Sequence, residues 1–290
     1  MAACMRSTYM GDPFSGDEGA LLKPPSNLIE EVQVTEESIA GIRCAIYAPR
    51  KNAERLPLVL YMHGGGFVFG CSEDTDYVTR MLCHSNQVVV LSVNYSLAPE
   101  TVYPGALIDC ERVLESAISQ NAAFGNDARP VYLAGDSAGA NLAISLYSRL
   151  RQHRTLIKGL ILLAPWLDMQ LENYDSYNQL APTGIVFDSP FMGYARAAYV
   201  GFEQWKDPSV SPLFSSLKDL PPTIALIGTE DPLIDQVLAL KNKAFDSGCE
   251  QIEVEIYPGV PHAFYLFPNL YSEEQDCFKR ISDFIRRVSA

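Results

Sequence analysis

The chain of 290 residues, 48% of them hydrophobic, is long enough to bury one large core or two small ones. Its formal net charge of −13 at pH 7 argues against nucleic acid and anionic membrane surfaces as partners. The longest apolar runs are far too short to span a bilayer as a helix, so no membrane partner is expected.

The cysteines and the N-terminus suggest a compartment. Seven cysteines are scattered along the chain without a C-x-x-C pair, which is typical of a reducing environment rather than of a disulfide framework or a zinc site. The first residues, MAACMRSTYMGDPF, lack a basic region followed by an apolar core, so no signal peptide is expected. These features predict a cytoplasmic protein without a metal.

Eight short runs read as strands. The first two, 29–34 and 42–48, alternate apolar and polar residues, as half-exposed antiparallel strands do. The next five are almost continuously apolar, which is typical of strands buried on both faces of a parallel sheet, and the last alternates again. These six runs lie at 56–62, 87–93, 130–135, 159–165, 222–228 and 251–257.

Helical patterns separate the strands. Apolar residues recur at helical spacing in five segments, and Gly248 is a predicted C-cap of the fourth. Alternating strands and helices predict an α/β fold with a mostly parallel eight-stranded sheet and helices on both faces. The five segments lie at 75–85, 106–120, 137–153, 233–248 and 277–289.

Two segments interrupt this alternation, residues 1–28 and residues 166–218. Neither could bury a core by itself, so we expect one domain with a small cap built from both segments over a site. The second segment is rich in aromatic side chains: Trp166, Tyr174, Tyr177, Phe187, Phe191, Tyr194, Tyr199, Phe202 and Trp205.

A glycine loop, HGGGFVFG (63–70), follows the third predicted strand. Consecutive glycines leave backbone N–H groups uncovered and free to point at a negative oxygen. A flexible turn or a phosphate loop is the alternative. The Lys-Ser/Thr of the Walker pattern is missing, however, and there is no G-x-G-x-x-G followed by an acidic residue.

The stretch VYLAGDSAGANLAIS (131–145) places Ser137 between Gly135 and Gly139 at the spacing G-x-S-x-G. A sharp strand-to-helix turn there would strain the serine backbone and raise its hydroxyl above the sheet. An ordinary strand–helix turn is the alternative. Together with the glycine loop, the pattern predicts a serine nucleophile beside a site for an oxyanion.

A serine nucleophile needs a histidine to accept its proton. His63 lies in the glycine loop, His84 lies on a helix before the serine, and His153 lies at the predicted end of the helix after it. His262 alone follows a strand late in the chain, in YPGVPHAF, and is therefore the predicted base.

The histidine in turn needs a carboxylate to orient it. Asp231 follows the seventh strand directly and precedes Pro232, while Glu230 and Asp235 are its rivals. Each of these acids could instead be a charge at a helix start. Ser137, Asp231 and His262 stand in the chain order serine, acid, histidine of an α/β-hydrolase.

Five motifs carry a resemblance over residues 28–288. The chain resembles the hormone-sensitive-lipase family of α/β-hydrolase esterases, in its bacterial GDSAG group. The motifs are HGGGFVFG, NYSLAPE (94–100), GDSAGAN (135–141), DPLID (231–235) and PHAF (261–264).

The resemblance implies an α/β-hydrolase fold and a serine carboxylesterase that needs no cofactor. It implies the triad Ser137, Asp231 and His262, and a cap from residues 1–28 and 166–218. It also implies an oxyanion hole formed by backbone N–H groups of the glycine run and of the residue after the serine, namely Gly64, Gly65, Gly66 and Ala138.

Four residues raise narrower questions. Ser96 stands where the family usually has an arginine that is thought to brace the loop. Asp136 is expected to brace the turn rather than act as a base. Cys71 is expected to be a buried filler rather than a reactive thiol. Trp166 could line an acyl pocket or pack in the core.

The predicted function is hydrolysis of short- to medium-chain carboxylic esters through an acyl-enzyme. The expected partner is a small-molecule ester, and a homodimer is compatible with the sequence. One alternative is a catalytically weak hydrolase-fold protein that binds small molecules, although His262 is present. A lipase acting on longer acyl chains is another, and a serine peptidase would usually carry a large accessory domain.

Overall fold

The computed structural model describes residues 23–51, 56–119, 129–150, 152–184 and 186–289. Within these ranges, eight strands form one sheet in the order β1-β2-β4-β3-β5-β6-β7-β8. The strands are β1 Val32–Ile39, β2 Ile42–Pro49, β3 Leu58–Met62, β4 Val89–Val93, β5 Val131–Asp136, β6 Ile157–Leu163, β7 Thr223–Glu230 and β8 Ile252–Pro261.

The sheet confirms the predicted mixture of strand directions. Strand β2 is antiparallel to both β1 and β4, while β4, β3, β5, β6, β7 and β8 run parallel to one another. Every residue of β3, β4 and β5 is buried, as their continuous apolar runs predict. Because the central strands are parallel, the loops that follow them meet at one edge of the sheet.

Helices cover both faces of the sheet. Helix α4 (Ala138–Arg149) follows the serine turn and packs on the central strands, while α2 (Asp76–Asn86) and α8 (Glu273–Ser289) pack against each other. The α-helices of the described residues are α1 Ser26–Glu31, α2 Asp76–Asn86, α3 Gly105–Ser119, α4 Ala138–Arg149, α5 Asp175–Leu180, α6 Ser189–Tyr199, α7 Ile234–Asp246 and α8 Glu273–Ser289.

Helix α7 ends as its sequence predicts. Gly248 adopts a φ of +68°, which glycine reaches without steric cost. Its N–H donates to Phe245 O at 3.0 Å, and the N–H of Cys249 donates to Ala244 O at 2.9 Å. These bonds satisfy carbonyl groups that the end of the helix would otherwise leave unpaired. The C-cap residue itself is Ser247, and Gly248 is the left-handed residue directly after it that ends the helix.

Several predicted boundaries are wrong, including the following three. The first strand begins at Val32 rather than at residue 29, because Pro25 starts a helical turn in which Leu28 N–H donates to Pro25 O. Helix α4 ends at Arg149, so His153 lies in the following loop instead of on the helix. The last strand continues to Pro261, past a register irregularity where Gly259 has a φ of +73°.

The segment between β6 and β7 contains α5, α6 and several single 3₁₀ turns. Helix α6 begins where the Asp188 side chain accepts the Phe191 N–H at 2.8 Å. Arg196 on the same helix donates to both carboxylate oxygens of Glu172, at 2.6 and 2.7 Å, and its guanidinium lies 3.8 Å from the centre of the Trp205 ring. These contacts order a segment that has no sheet of its own.

Most of the other segment of the predicted cap, residues 1–22, lies outside the described residues. Leu28, at its end, is buried where α1 packs against α2, and Arg80 on α2 donates to Val32 O at 2.9 Å. No helix in the described ranges is both long and apolar enough to cross a membrane.

Candidate active site

Ser137 lies in a sharp turn between β5 and α4. Its φ of +52° is a left-handed conformation that a serine adopts only under strain, and its N–H donates to Leu163 O at 2.8 Å. A Cβ at Gly135 would lie 2.5 Å from the Gly139 carbonyl, and one at Gly139 would lie 1.9 Å from Met62 O. The strained turn predicted from G-x-S-x-G is therefore confirmed, and both glycines are sterically required.

Asp231 and His262 form a buried pair at the ends of β7 and β8. His262 Nδ1 and Asp231 Oδ2 are 2.7 Å apart, and neither side chain is appreciably exposed. The second carboxylate oxygen accepts the N–H of Leu233 at 2.8 Å. Among the described residues, His262 Nε2 is buried and has no hydrogen-bond partner. Nε2 is therefore the imidazole nitrogen of His262 that is free to accept a proton.

The pKa of His262 lies above its ordinary value of 6.5. Burial opposes the charged imidazolium, but the Asp231 carboxylate favours it through its charge and its hydrogen bond, and Asp136 adds a smaller contribution of the same sign. Nδ1 as donor to Asp231 is the tautomer that leaves Nε2 unprotonated in the neutral ring.

The rival acids are engaged elsewhere. Glu230 is exposed, and its carboxylate accepts the hydroxyl of Thr229 at 3.2 Å. Asp235 accepts the N–H of Ser176 at 2.7 Å, which ties α7 to α5. Asp231 is thus the acid that the structure brings to His262.

The other three histidines lie apart from this pair. His63 is buried, hydrogen-bonded to Gly64 O at 2.7 Å and stacked on Tyr95, and burial lowers its pKa to about 4. His84 pairs with Glu31 at 2.9 Å. His153 precedes a 3₁₀ turn after α4.

The N–H groups of the glycine loop differ in whether they are already hydrogen-bonded. The N–H of Gly64 donates to Asp136 Oδ1 at 2.9 Å, so it is directed away from a substrate. Gly65 and Gly66 have φ values of +108° and +60°. Within the described part of the chain, no hydrogen bond uses the N–H of Gly65, Gly66 or Ala138. Of the four predicted oxyanion donors, these three are open.

The expected role of Asp136 as a brace is confirmed, since its carboxylate also accepts the Tyr61 hydroxyl at 2.7 Å. Tyr61 was not singled out from the sequence, because nothing in a buried strand pattern marks a tyrosine whose partner is 75 residues away. Ser96 replaces the family's arginine, and its own N–H is held by Asp109 Oδ2 at 3.0 Å. Cys71 is half-buried rather than buried as expected, and burial raises the pKa of its thiol to about 12, which disfavours a reactive thiol.

A cavity that is partly open to solvent joins Ser137, Asp231 and His262, and it encloses about 460 Å³ when the solvent at its mouth is counted. Trp166 is buried and also lines this cavity, so its two expected roles coincide. The ring of Phe187 meets the imidazole of His262 at 5.2 Å between centroids. Glu230, at the end of β7, also lines the cavity. Five apolar residues of the segment between β6 and β7 form a further part of the wall: Leu180, Val186, Phe187, Phe191 and Met192.

The strand order and the serine turn after β5 define the class of α/β-hydrolases. Residues 59–266 match the family described as alpha/beta hydrolase fold. Among the described residues, no group of three or more His, Cys, Asp or Glu side chains could hold a metal ion.

Curated relatives and solved structures narrow the class. The chain is 30% identical to an esterase of Acinetobacter venetianus over 87% of this chain and 82% of the relative. It is 28% identical to the versiconal hemiacetal acetate esterase of Dothistroma septosporum over 91% of this chain and 85% of the relative. A solved esterase of the bacterial hormone-sensitive lipase family is similar with a TM-score of 0.80 and 26% identity, covering 90% of this chain and 86% of that one.

As its motifs predict, the chain belongs to the bacterial hormone-sensitive-lipase family of α/β-hydrolases, and it is a carboxylic-ester hydrolase.

Proposed function

We propose that this esterase hydrolyses short- to medium-chain carboxylic esters through an acyl-enzyme on Ser137, with His262 as base and Asp231 as its orienting carboxylate. One observation carries the proposal. His262 Nδ1 is held by Asp231, while Nε2 is buried without a partner among the described residues, in the cavity that Ser137 also lines. This is the arrangement that a serine needs in order to lose its proton.

The reaction has two halves. In the first, Ser137 Oγ attacks the ester carbonyl carbon and passes its proton to His262 Nε2, and the tetrahedral intermediate expels the alcohol, which takes that proton. In the second, water attacks the acyl-enzyme carbonyl, His262 Nε2 accepts and returns a proton, and the acid leaves. Asp231 stays ionised throughout and stabilises the imidazolium in each half.

The oxyanion would be stabilised by backbone N–H groups. Gly65, Gly66 and Ala138 support this role, because their N–H groups are open in the described structure while that of Gly64 is engaged. Fixed donors of this kind act where charge develops, and losing one typically costs about 10²–10³ in kcat.

The substrate's acyl chain would be selected by the cavity wall. Its apolar lining and limited volume support acyl groups that are short and uncharged. Each methylene buried there contributes about 0.8 kcal/mol until the cavity is filled. The name of the Dothistroma relative, an acetate esterase, points the same way. We expect activity to decline for longer acyl chains, beyond about eight carbons as the family resemblance implies, whereas lipase-like activity would rise with chain length.

A panel of p-nitrophenyl esters from acetate to palmitate tests the chain-length proposal directly. In parallel, a fluorophosphonate probe should label one residue, and peptide mass spectrometry should locate it at Ser137. A maximum at palmitate would favour the lipase alternative. An adduct on another residue would overturn the mechanism, and no turnover of any ester would favour a binding protein. A cytoplasmic location, a homodimer and independence of cofactors stay predictions from the sequence.

A further inference from the structure

Asp136 immediately precedes Ser137, is buried, and is not part of the cavity wall. A single oxygen of its carboxylate, Oδ1, accepts two hydrogen bonds. One comes from the hydroxyl of Tyr61 on β3 at 2.7 Å, and the other comes from the N–H of Gly64 at 2.9 Å. Asp136 therefore connects the serine turn to the first peptide of the glycine run.

The contact leaves little room for a side chain at position 64. A Cβ there would lie 2.2 Å from Asp136 Oδ2 and 3.2 Å from Asp136 O, so the Asp136 carboxylate would have to move. The two neighbouring carbonyl groups are also held. The Tyr95 hydroxyl donates to His63 O at 2.7 Å, and His63 Nδ1 lies 2.7 Å from Gly64 O. The peptide groups on both sides of Gly64 are thus held, and Asp136 is the side chain that receives its N–H.

The placement of Asp136 matters because the open N–H groups lie on two different segments. Ala138 belongs to the serine turn, whereas Gly65 and Gly66 belong to the loop after β3. An oxyanion can accept from both segments only if their separation is fixed to within a few tenths of an ångström. Asp136 adjoins the first segment covalently and bonds directly to the residue that begins the second.

We propose that Asp136 is a positioning residue of the oxyanion hole, which holds the N–H groups of Gly65 and Gly66 in register with that of Ala138 through its bond to Gly64. The inference rests on the proposed function, because it assumes an oxyanion formed at Ser137. Asp136 itself does not touch the substrate.

The charge of Asp136 has a second effect. Burial raises its pKa to about 6, although the bonds from Tyr61 and Gly64 and the charge of His262 all favour the carboxylate. The other titratable groups that face it are the buried hydroxyls of Tyr95 and Tyr265. Burial opposes the imidazolium of His262, which Asp231 and, more weakly, Asp136 favour. Removing the charge of Asp136 should therefore lower the pKa of His262.

Three variants separate the positioning role of Asp136 from the effect of its charge. Asp136→Ala removes the acceptor and the charge, Asp136→Asn keeps an acceptor without the charge, and Tyr61→Phe keeps the carboxylate and its bond to Gly64. Tyr132→Phe is the matched control, because it removes the hydroxyl of another buried tyrosine, on β5, that bonds to Ser289 at 2.5 Å. Each variant is assayed for kcat, KM, the pH profile of kcat/KM, and inhibition by an alkyl trifluoromethyl ketone.

The ketone forms a tetrahedral adduct with Ser137 Oγ, whose proton passes to His262 while the former carbonyl oxygen becomes the anion. For Asp136→Ala we expect kcat to fall about 100-fold, the ketone to bind weaker by a similar factor, and KM to stay within about threefold. Asp136→Asn should keep kcat within about tenfold and move the acid limb of kcat/KM to lower pH. Tyr61→Phe should cost about threefold to tenfold, and Tyr132→Phe less than about twofold.

Fluorophosphonate labelling and thermal unfolding of each variant show whether the site and the fold survive. Wild-type protein without a label at Ser137 would refute the proposed function itself. A labelled wild type, with Asp136→Ala matching its kcat and ketone affinity, would overturn only the role of Asp136. If Asp136→Ala does not fold, the test rests on Asp136→Asn and Tyr61→Phe. The inference would be overturned if both variants bind the ketone as tightly as the wild type and the acid limb of kcat/KM for Asp136→Asn does not move.

Discussion

The strand-end loops and the segment between β6 and β7 differ in how they are held. Ser137, Asp231 and His262 each follow a strand of the sheet, and main-chain hydrogen bonds fix the turns around the first two. The intervening segment, by contrast, contains only short helices and single turns, and it is held largely through side chains. The backbone at the ends of the strands therefore positions Ser137, Asp231 and His262, whereas side chains that can be substituted form the wall of the cavity.

The anchors of the second region show this dependence. Gln236 on α7 accepts the N–H groups of Leu167 and Asp168 at 2.7 and 2.9 Å. Asn141 on α4 donates to Trp166 O and Val210 O at 2.8 and 2.9 Å. A few polar side chains of the body therefore fix the ends of the segment, and its apolar residues are left to contact the cavity. Turnover and selectivity should therefore respond to different substitutions.

The largest effect should come from Ser137→Ala, because the nucleophile has no substitute in the strand-end loops. We expect ester turnover to fall by about 10⁴ or more, with the fold retained since alanine needs no additional space. Steady-state hydrolysis of p-nitrophenyl acetate measures the loss, and circular dichroism checks the fold. A variant with near-native turnover would show that Ser137 is not the nucleophile.

Asp231→Asn should have the next largest effect. An amide can orient His262 in the wrong tautomer, with Nε2 protonated and unable to accept, so we expect turnover to fall by about 10³–10⁴. Glu230→Gln is the matched comparison, since Glu230 is the neighbouring acid and is exposed. It should cost less than about tenfold. The reverse order of the two losses would mean that the wrong acid has been assigned.

The pH dependence should follow the pKa of His262. Only the neutral imidazole can accept the serine proton, so kcat/KM should fall about tenfold per pH unit below that pKa. Because the folded protein raises the pKa above 6.5, the acid limb should have its midpoint above pH 6.5. A profile of kcat/KM from pH 5 to pH 9 measures this midpoint. A midpoint clearly below 6.5 would contradict the influence of Asp231.

The smallest change in turnover, but the clearest change in selectivity, should come from the cavity wall. Phe191→Ala enlarges the cavity, and we expect kcat/KM for decanoate relative to butyrate to rise about fivefold to thirtyfold. Phe202→Ala is the matched control, since Phe202 belongs to the same segment but is 75% exposed and does not line the cavity. It should leave the ester profile unchanged.

Both variants should keep fluorophosphonate labelling at Ser137. Phe191 is buried, so its loss should also lower the free energy of unfolding by about 3–5 kcal/mol, and the assays belong well below the unfolding temperature. An unchanged acyl profile in Phe191→Ala would show that this part of the wall does not select the substrate.

Local patterns were sufficient for much of the fold. Continuous apolar runs marked the buried parallel strands, and G-x-S-x-G marked a turn that only glycines at 135 and 139 can accommodate. Order along the chain singled out His262 among four histidines. The strands and the serine turn could be predicted because each depends on a few consecutive residues, and the histidine because only four candidates exist. The first strand was misplaced because a proline-initiated turn and an alternating strand overlap within residues 25–34.

The sequence alone predicts the class of the protein, the serine turn, and a glycine loop whose backbone N–H groups can point at a negative oxygen. The tertiary structure brings the predicted acid, Asp231, to His262. It alone shows that the Gly64 N–H donates to Asp136 and that the Tyr61 hydroxyl donates to the same carboxylate oxygen. It also decided which aromatic residues of the segment between β6 and β7 line the cavity and which, like Phe202, face solvent. The physical reason is distance along the chain: these contacts join segments tens of residues apart, and their geometry follows from packing of the whole sheet rather than from any local pattern.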